Sequence, residues 1–159
     1  MSPAPSIRPA LRADAQLLAA IRRDAILTLA TPTYGLDRAR DWADSSAVER
    51  IHRAIEDHEV WLSEFENAVV GWIEIDRDRV EGIYVSPDLA GRGIGSALLM
   101  YAEGRIRSAG YCAAALDASW NAEPFYLRRG YEAQAERSAE GGRPMLKPLS
   151  GSNAITPRE

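Results

Sequence analysis

The chain has 159 residues, 46% of them hydrophobic and 26% charged, with a formal net charge of −4. That length and balance suit one soluble globular domain with a single core, expected over residues 1–149, and the acidic balance argues against a nucleic-acid partner. Apolar runs of a few residues argue against a membrane span, no secretory leader is expected, and a lone cysteine, Cys112, excludes an internal disulfide and points to a reducing cytoplasm.

Met1–Pro5 reads as a frayed start, followed by a short strand, Ser6-Ile-Arg8, that Pro9 ends. Leu17, Leu18, Ile21 and Ala25 recur at helical spacing, and Asp14 suits the positive end of that helix dipole. Thr31-Pro-Thr-Tyr-Gly35 carries two turn formers and predicts a break. A second helix is signalled by a capping box, Ser46-x-x-Glu49, with Val48, Ile51 and Ile55 on one face. The period then changes to that of strands. Val60–Glu64 and Ala68–Asp76 flank a hairpin turn at Phe65-Glu-Asn67, where Asn suits positive φ, and Asp76-Arg-Asp78 turns the chain into a strand over Arg79–Val85.

A helix predicted over Ser96–Ala109 stops at Gly110. Tyr111–Asp117 is an alanine-rich strand in which Cys112 reads as a small buried residue. The next helix, from about Asn121 to Arg129, carries Pro124 in its first turn, where the missing N–H is harmless, and ends at Gly130. Tyr131–Glu136 and Pro144–Leu149 read as a terminal hairpin, and Ser150–Glu159, small and polar, as a flexible tail. The order β-α-α-β-β-β-α-β-α-β-β predicts an α/β fold with a mixed sheet and helices on both faces.

The most informative stretch is Val85-Ser-Pro-Asp-Leu-Ala-Gly91-Arg-Gly93-Ile-Gly95-Ser96, a glycine loop between a predicted strand and a predicted helix. Such a loop turns backbone N–H groups and a helix N-terminus toward one anion, and Arg92 adds a cation. Spacing separates the candidate loops. A nucleoside-triphosphate loop needs a lysine after its glycines, and the only lysine is Lys147. A dinucleotide fingerprint needs G-x-G-x-x-G in the first βα unit, whereas here the spacing is G-x-G-x-G past mid-chain. The remaining pattern, V-x-P-x-x-x-G-x-G-I-G, resembles the acetyl-CoA loop of the GNAT superfamily of N-acetyltransferases. It departs from that family's usual Gln or Arg at Ala90. A second segment, Ala118-Ser-Trp-Asn121-Ala-Glu-Pro-Phe125-Tyr126-Leu-Arg-Arg-Gly130-Tyr131, is similar to the family's A-S-x-N-A-x-x-F-Y-x-x-x-G-[FY] crossing, in the expected order.

The resemblance implies a mixed, mostly antiparallel sheet in which the strands ending at Val85 and Asp117 lie parallel and splay apart, with acetyl-CoA between them. It implies that Ile83, Tyr84 and Val85 on the strand, Gly91, Arg92, Gly93, Ile94, Gly95 and Ser96 in the loop, and Asn121 hold acetyl-CoA. Ser119 and Asn121 are alternatively helix caps. Tyr126 takes the family's place beside the sulfur, and a phenol of pKa about 10 is protonated at neutral pH and able to donate to a departing thiolate. Gly82 fits a bulge, a close backbone approach or simple packing.

Transfer to an amine also needs a base, since an alkylammonium has no lone pair. Glu81, one step before Gly82 and alternating with Ile83 and Val85, is the candidate; Glu74, Asp117 and a water chain are its rivals. The acceptor is expected to be a small-molecule or peptide amine. Seven acids against four arginines over Asp37–Glu59 suit a cation as well as a solvated helix. Tyr34, Trp42 and Trp72 serve either the core or an acceptor pocket. His52 and His58 lack metal-ligand spacing and read as exposed helix residues, so no metal is expected. Transfer of another acyl group, a non-catalytic CoA-binding sensor and a homodimer all stay open.

Overall fold

A computed structural model describes residues 4–45, 48–139 and 142–149; the capping box at Ser46 and the tail over 150–159 lie outside the described residues. Along the chain come β1 (Ser6–Pro9), α1 (Ala15–Ala25), α2 (Thr31–Tyr34), α3 (Leu36–Asp44), α4 (Val48–Asp57), β2 (Glu59–Phe65), β3 (Ala68–Asp76), β4 (Arg79–Val85), α5 (Ile94–Ser108), β5 (Ala113–Ser119), α6 (Glu123–Leu127), β6 (Glu132–Ala133) and β7 (Gly142–Pro148). The strands form one sheet in the order β1-β2-β3-β4-β5-β7-β6, antiparallel throughout except for β4 beside β5. The predicted mixed sheet with helices on both faces is therefore the fold observed.

Two packed layers hold it. On one face α1 and α4 bring Leu18, Ile21 and Ile51 onto Leu62 and Trp72. The indole N–H of Trp72 donates to the carbonyl of Leu18 at 3.0 Å, so this buried polar group is satisfied. On the other face α5 lays Leu98, Leu99 and Ile106 on Ile73, Ile75 and Leu116. Each such fully buried side chain contributes roughly 2 kcal/mol of hydrophobic stabilisation.

The β2–β3 hairpin turns through Glu66 and Asn67, both at positive φ (50° and 64°), the geometry of a two-residue turn whose twist matches its strands.

Several expectations are corrected. Leu17 is 48% exposed, and the inward stripe of α1 runs instead through Ala15, Leu18, Ala19, Ile21, Arg22 and Ala25. The break expected over residues 31–35 comes only at its last residue, after a helical path through Tyr34. Ile26–Ala30 form a π-helical turn, α2 follows with Pro32 in its first turn, and the stop comes at Gly35, φ +84°. Pro32 has no N–H to offer the carbonyl one turn back, and the Thr31 hydroxyl takes the Leu27 carbonyl at 2.5 Å. The helix α3 was hidden because it packs through two alanines, Ala39 and Ala43, with no large apolar stripe. Cys112 is exposed, since β5 begins one residue later. The helix expected from Asn121 to Arg129 spans only Glu123–Leu127, and the strand expected over Tyr131–Glu136 shrinks to Glu132–Ala133.

Candidate functional site

β4 and β5 pair only once, Arg79 with Ala115, supported by the Ala115 N–H on the Asp78 carbonyl at 2.9 Å. Beyond that pair the strands part, and no ladder pair joins Ile83, Tyr84 or Val85 to β5. Their other edge is paired with Ile73, Trp72 and Gly71 of β3. The opening between the strands is thus edged by strand backbone, which accepts an added extended chain.

At the open end sits the glycine loop. Gly91 and Gly93 have φ of +81° and +83°, a region that disfavours other residues, and a Cβ at either would meet nothing within 4 Å. The space in front of the loop is therefore free. Gly93 precedes the first residue of α5, and no side chain caps this helix of 15 residues. Its first-turn N–H groups and the positive end of its dipole face outward. Arg92 is exposed and forms no ion pair with any described residue. Ile94 offers only backbone, because its side chain is 3% exposed and belongs to the core. Gly95 differs from the other two: a Cβ there would touch Phe125 at 3.5 Å, an ordinary contact, but would enter the cavity that Gly95 lines.

Ser96 is half-buried and receives the Nε–H of Arg129 at 3.1 Å; the same guanidinium donates to the Phe125 carbonyl at 2.8 Å and lies 3.7 Å over the Phe125 ring. Arg129 was missed by sequence reasoning. Arg129 thus adds a positive charge beside the start of α5.

On the β5 side, neither Ser119 nor Asn121 caps α6. The side-chain oxygen of Asn121 is buried, lines the cavity and accepts no hydrogen bond from any described residue. Tyr126, 8% exposed, lines the same cavity. Burial, and Tyr84 beside it, push its phenol above the usual value, so it stays protonated.

Gly95, Asn121, Tyr126 and the β4 residues Ile83, Tyr84 and Val85 share one cavity of about 350 Å³. Two carboxylates line it, Glu81 and Asp117. The position of Glu81 follows from a β-bulge: Glu74 pairs with Gly82 but Ile75 with Val80, leaving Glu81 as the extra residue. The expected alternation of Glu81 with Ile83 and Val85 is thereby broken; those two pack toward α5, whereas Glu81 acts electrostatically on His58. Gly82 also makes room for the Tyr84 ring, which a Cβ would meet at 2.8 Å. Arg79 binds both carboxylates, Asp117 at 2.9 Å and Glu81 at 3.6 Å.

Glu74 does not line the cavity. It is buried against Nδ1 of His58 at 2.6 Å, with Asp76 at 3.5 Å from Nε2. His58 is therefore half-buried and partnered, contrary to expectation, and the Glu74 hydrogen bond raises its pKa above 6.5. Of the three aromatics, only Trp42 lines the cavity. Tyr34 stands behind it, edge-on at 5.9 Å, and accepts the Trp120 N–H at 2.7 Å. Trp72 is core, 1% exposed beneath Tyr84.

No described helix is long and apolar enough to cross a membrane. No curated protein matches the chain. Among solved structures, the chain is similar to a GCN5-related N-acetyltransferase from Rhodopseudomonas palustris, with 25% identity and a TM-score of 0.86 over 94% of this chain and 98% of that one. It shares its fold with the PaiA N-acetyltransferase of Thermoplasma acidophilum in complex with coenzyme A, with 19% identity and a TM-score of 0.79 over 92% of this chain and 99% of that one. It shares it also with YncA of Salmonella typhimurium, a putative acetyltransferase with its cofactor acetyl-CoA, with 20% identity and a TM-score of 0.64 over 98% of this chain and all of that one. A family model described as an acetyltransferase (GNAT) domain matches residues 30–147, a stretch that holds both motifs and the whole opening between β4 and β5, and the chain belongs to the GNAT acetyltransferase family.

Proposed function

We propose that the protein transfers an acetyl group from acetyl-CoA directly to a primary amine while both are bound. The observation that carries this reading is a cavity lined by the unpaired stretch of β4, by Gly95 in the first turn of an uncapped helix and by a buried phenol, with the open positive-φ glycines Gly91 and Gly93 just before that helix. The fit of the residues to acetyl-CoA rests on this chain's own features. The α5 N-terminus, Arg92 and Arg129 suit the pyrophosphate. The orphaned Asn121 oxygen suits an amide N–H of the pantetheine arm, as does the unpaired edge of β4. Bound there, acetyl-CoA supplies an activated acyl group on a thioester.

The chain's own side chains then handle protons. Glu81, directly or through water, takes a proton from the acceptor ammonium. The N–C bond forms as the C–S bond breaks, Tyr126 gives its hydroxyl proton to the departing sulfur, and the second proton shed by the nitrogen as it becomes an amide returns through water to the Tyr126 oxygen. The raised pKa of Tyr126 weakens it as an acid but keeps it fully protonated, so its contribution falls at the modest end of general acid catalysis, about 10²-fold. Asp117 is the second candidate base, since it lines the same cavity, whereas Glu74 is occupied by His58.

A CoA-binding sensor without turnover is the second reading, favoured by Ala90 at the family's Gln or Arg position. Arg129 argues against it by restoring a cation at the loop. Acetyl-CoA-dependent thiol release over an amine panel decides. Turnover lost in Tyr126→Phe supports transfer, and calorimetric binding of acetyl-CoA without any release supports the sensor. A single exposed cysteine supports a cytoplasmic setting.

A further inference from the structure

We infer that the acceptor is a compact monoamine with an apolar body, its ammonium held between Glu81 and Asp117 and its body against Leu29 and Trp42. This rests on the transferase reading above.

The end of α1, the turn that follows it and α3 line the cavity with Ala25, Ile26, Leu29, Ala30 and Trp42. None of these carries a charge, and only the indole carries a polar atom. The inward stripe of α1, buried at Leu18, Arg22 and Ala25, continues at helical spacing to Leu29, which is 42% exposed. No segment of the described chain covers it, so a core stripe emerges as cavity wall. It does so on the π-helical turn Ile26–Ala30, a distortion that recurs at ligand sites. An apolar surface of this kind favours an aryl or branched alkyl group over a polar chain.

The charges select further. Among the described residues, Glu81 and Asp117 are the only acidic side chains lining the cavity, and no lysine or arginine lines it. Arg79 binds both carboxylates, so the three groups together carry one net negative charge. One ammonium is matched. A second ammonium of a polyamine would meet the apolar wall, and the carboxylate of an α-amino acid would meet two like charges with no lining cation. Size selects as well. About 350 Å³ is near the lower limit of ligand cavities and must also admit the end of the pantetheine arm and its acyl group, leaving room inside for a small body only.

The test uses 2-phenylethylamine against 1,4-diaminobutane, phenylalanine and a lysine tetrapeptide, titrated calorimetrically into the CoA-loaded full chain, with thiol release from acetyl-CoA measured on the same panel. The inference expects phenylethylamine to bind at least about tenfold more tightly than each of the others. In Leu29→Asn that advantage should fall to about threefold or less with the CoA affinity unchanged; Leu29 is half-exposed, so this variant folds. Preference for the diamine, the amino acid or the peptide, or an unchanged preference in Leu29→Asn, overturns the inference and leaves the transferase reading standing. Selective phenylethylamine binding without thiol release overturns the transferase reading and supports the acceptor site. Failure of CoA itself to bind overturns both.

Discussion

Arg79 on β4 donates to Asp117 on β5 at 2.9 Å, close to the single pair that joins these strands before they separate. The same guanidinium lies 3.6 Å from Glu81, so one side chain both ties the strands together and offsets one of the two carboxylate charges that line the cavity.

Arg79→Gln should therefore cost less than about 1 kcal/mol, because both ion pairs are partly exposed. Its larger effect should be on selectivity. With the net negative charge raised by one, the kcat/KM ratio of diaminobutane to phenylethylamine should rise several-fold at low salt and relax at high salt. A ratio unmoved by the substitution would show that these carboxylates do not meet the acceptor.

At the glycine loop, Gly93→Ala and Gly93→Asp separate strain from charge. Alanine at φ +83° should cost about 1 kcal/mol in stability. Aspartate adds a negative charge at the helix start and should weaken acetyl-CoA binding tenfold or more beyond the alanine variant. Equal affinities in the two variants, measured by calorimetry, would mean that no phosphate sits there.

Tyr126→Phe keeps the ring between Phe125 and Tyr131 and removes only the hydroxyl. We expect kcat to fall by about 10²-fold with little change in CoA affinity. Wild-type turnover in this variant would end the role assigned to Tyr126.

Glu81→Gln should shift the alkaline-rising limb of kcat/KM toward the pKa of the free amine, near 10. An unshifted profile would move the base to Asp117, whose Asn variant is the next measurement.

His58 gives a pH test of stability. Its pKa is raised above 6.5 by Glu74, so the stabilisation from this pair is fully present below 6.5 and is lost as pH rises through the higher folded value. The Tm difference between wild type and His58→Gln should thus be largest in mild acid and shrink through neutrality into alkali. A difference that grows with pH would contradict the pairing.

How much of this was legible in the sequence varies element by element. The glycine loop, the hairpin turn at Asn67, the inward face of α4, the helix that became α5 and the second motif are local. Each depends on φ preferences, periodicity or spacing within a few residues, and each stands where the residues placed it. α3 was not legible, because alanines leave no hydrophobic stripe and become inward-facing only when a neighbouring helix lies close. The exposure of Cys112 depended on a strand starting two residues later than its composition suggests.

The amino-acid sequence by itself determined the family, the loop and the candidate phenol, since these rest on short patterns with one backbone solution. Only the tertiary structure decided which carboxylate reaches the cavity. Glu74, Glu81 and Asp117 look alike along the chain, and a one-residue bulge opposite Ile75 together with a distant histidine separates them. It likewise brought Arg129 to Ser96 across 33 positions and set Leu29 opposite Glu81 and Asp117. Such contacts depend on how helices and strands from separate parts of the chain pack, and no local propensity encodes them.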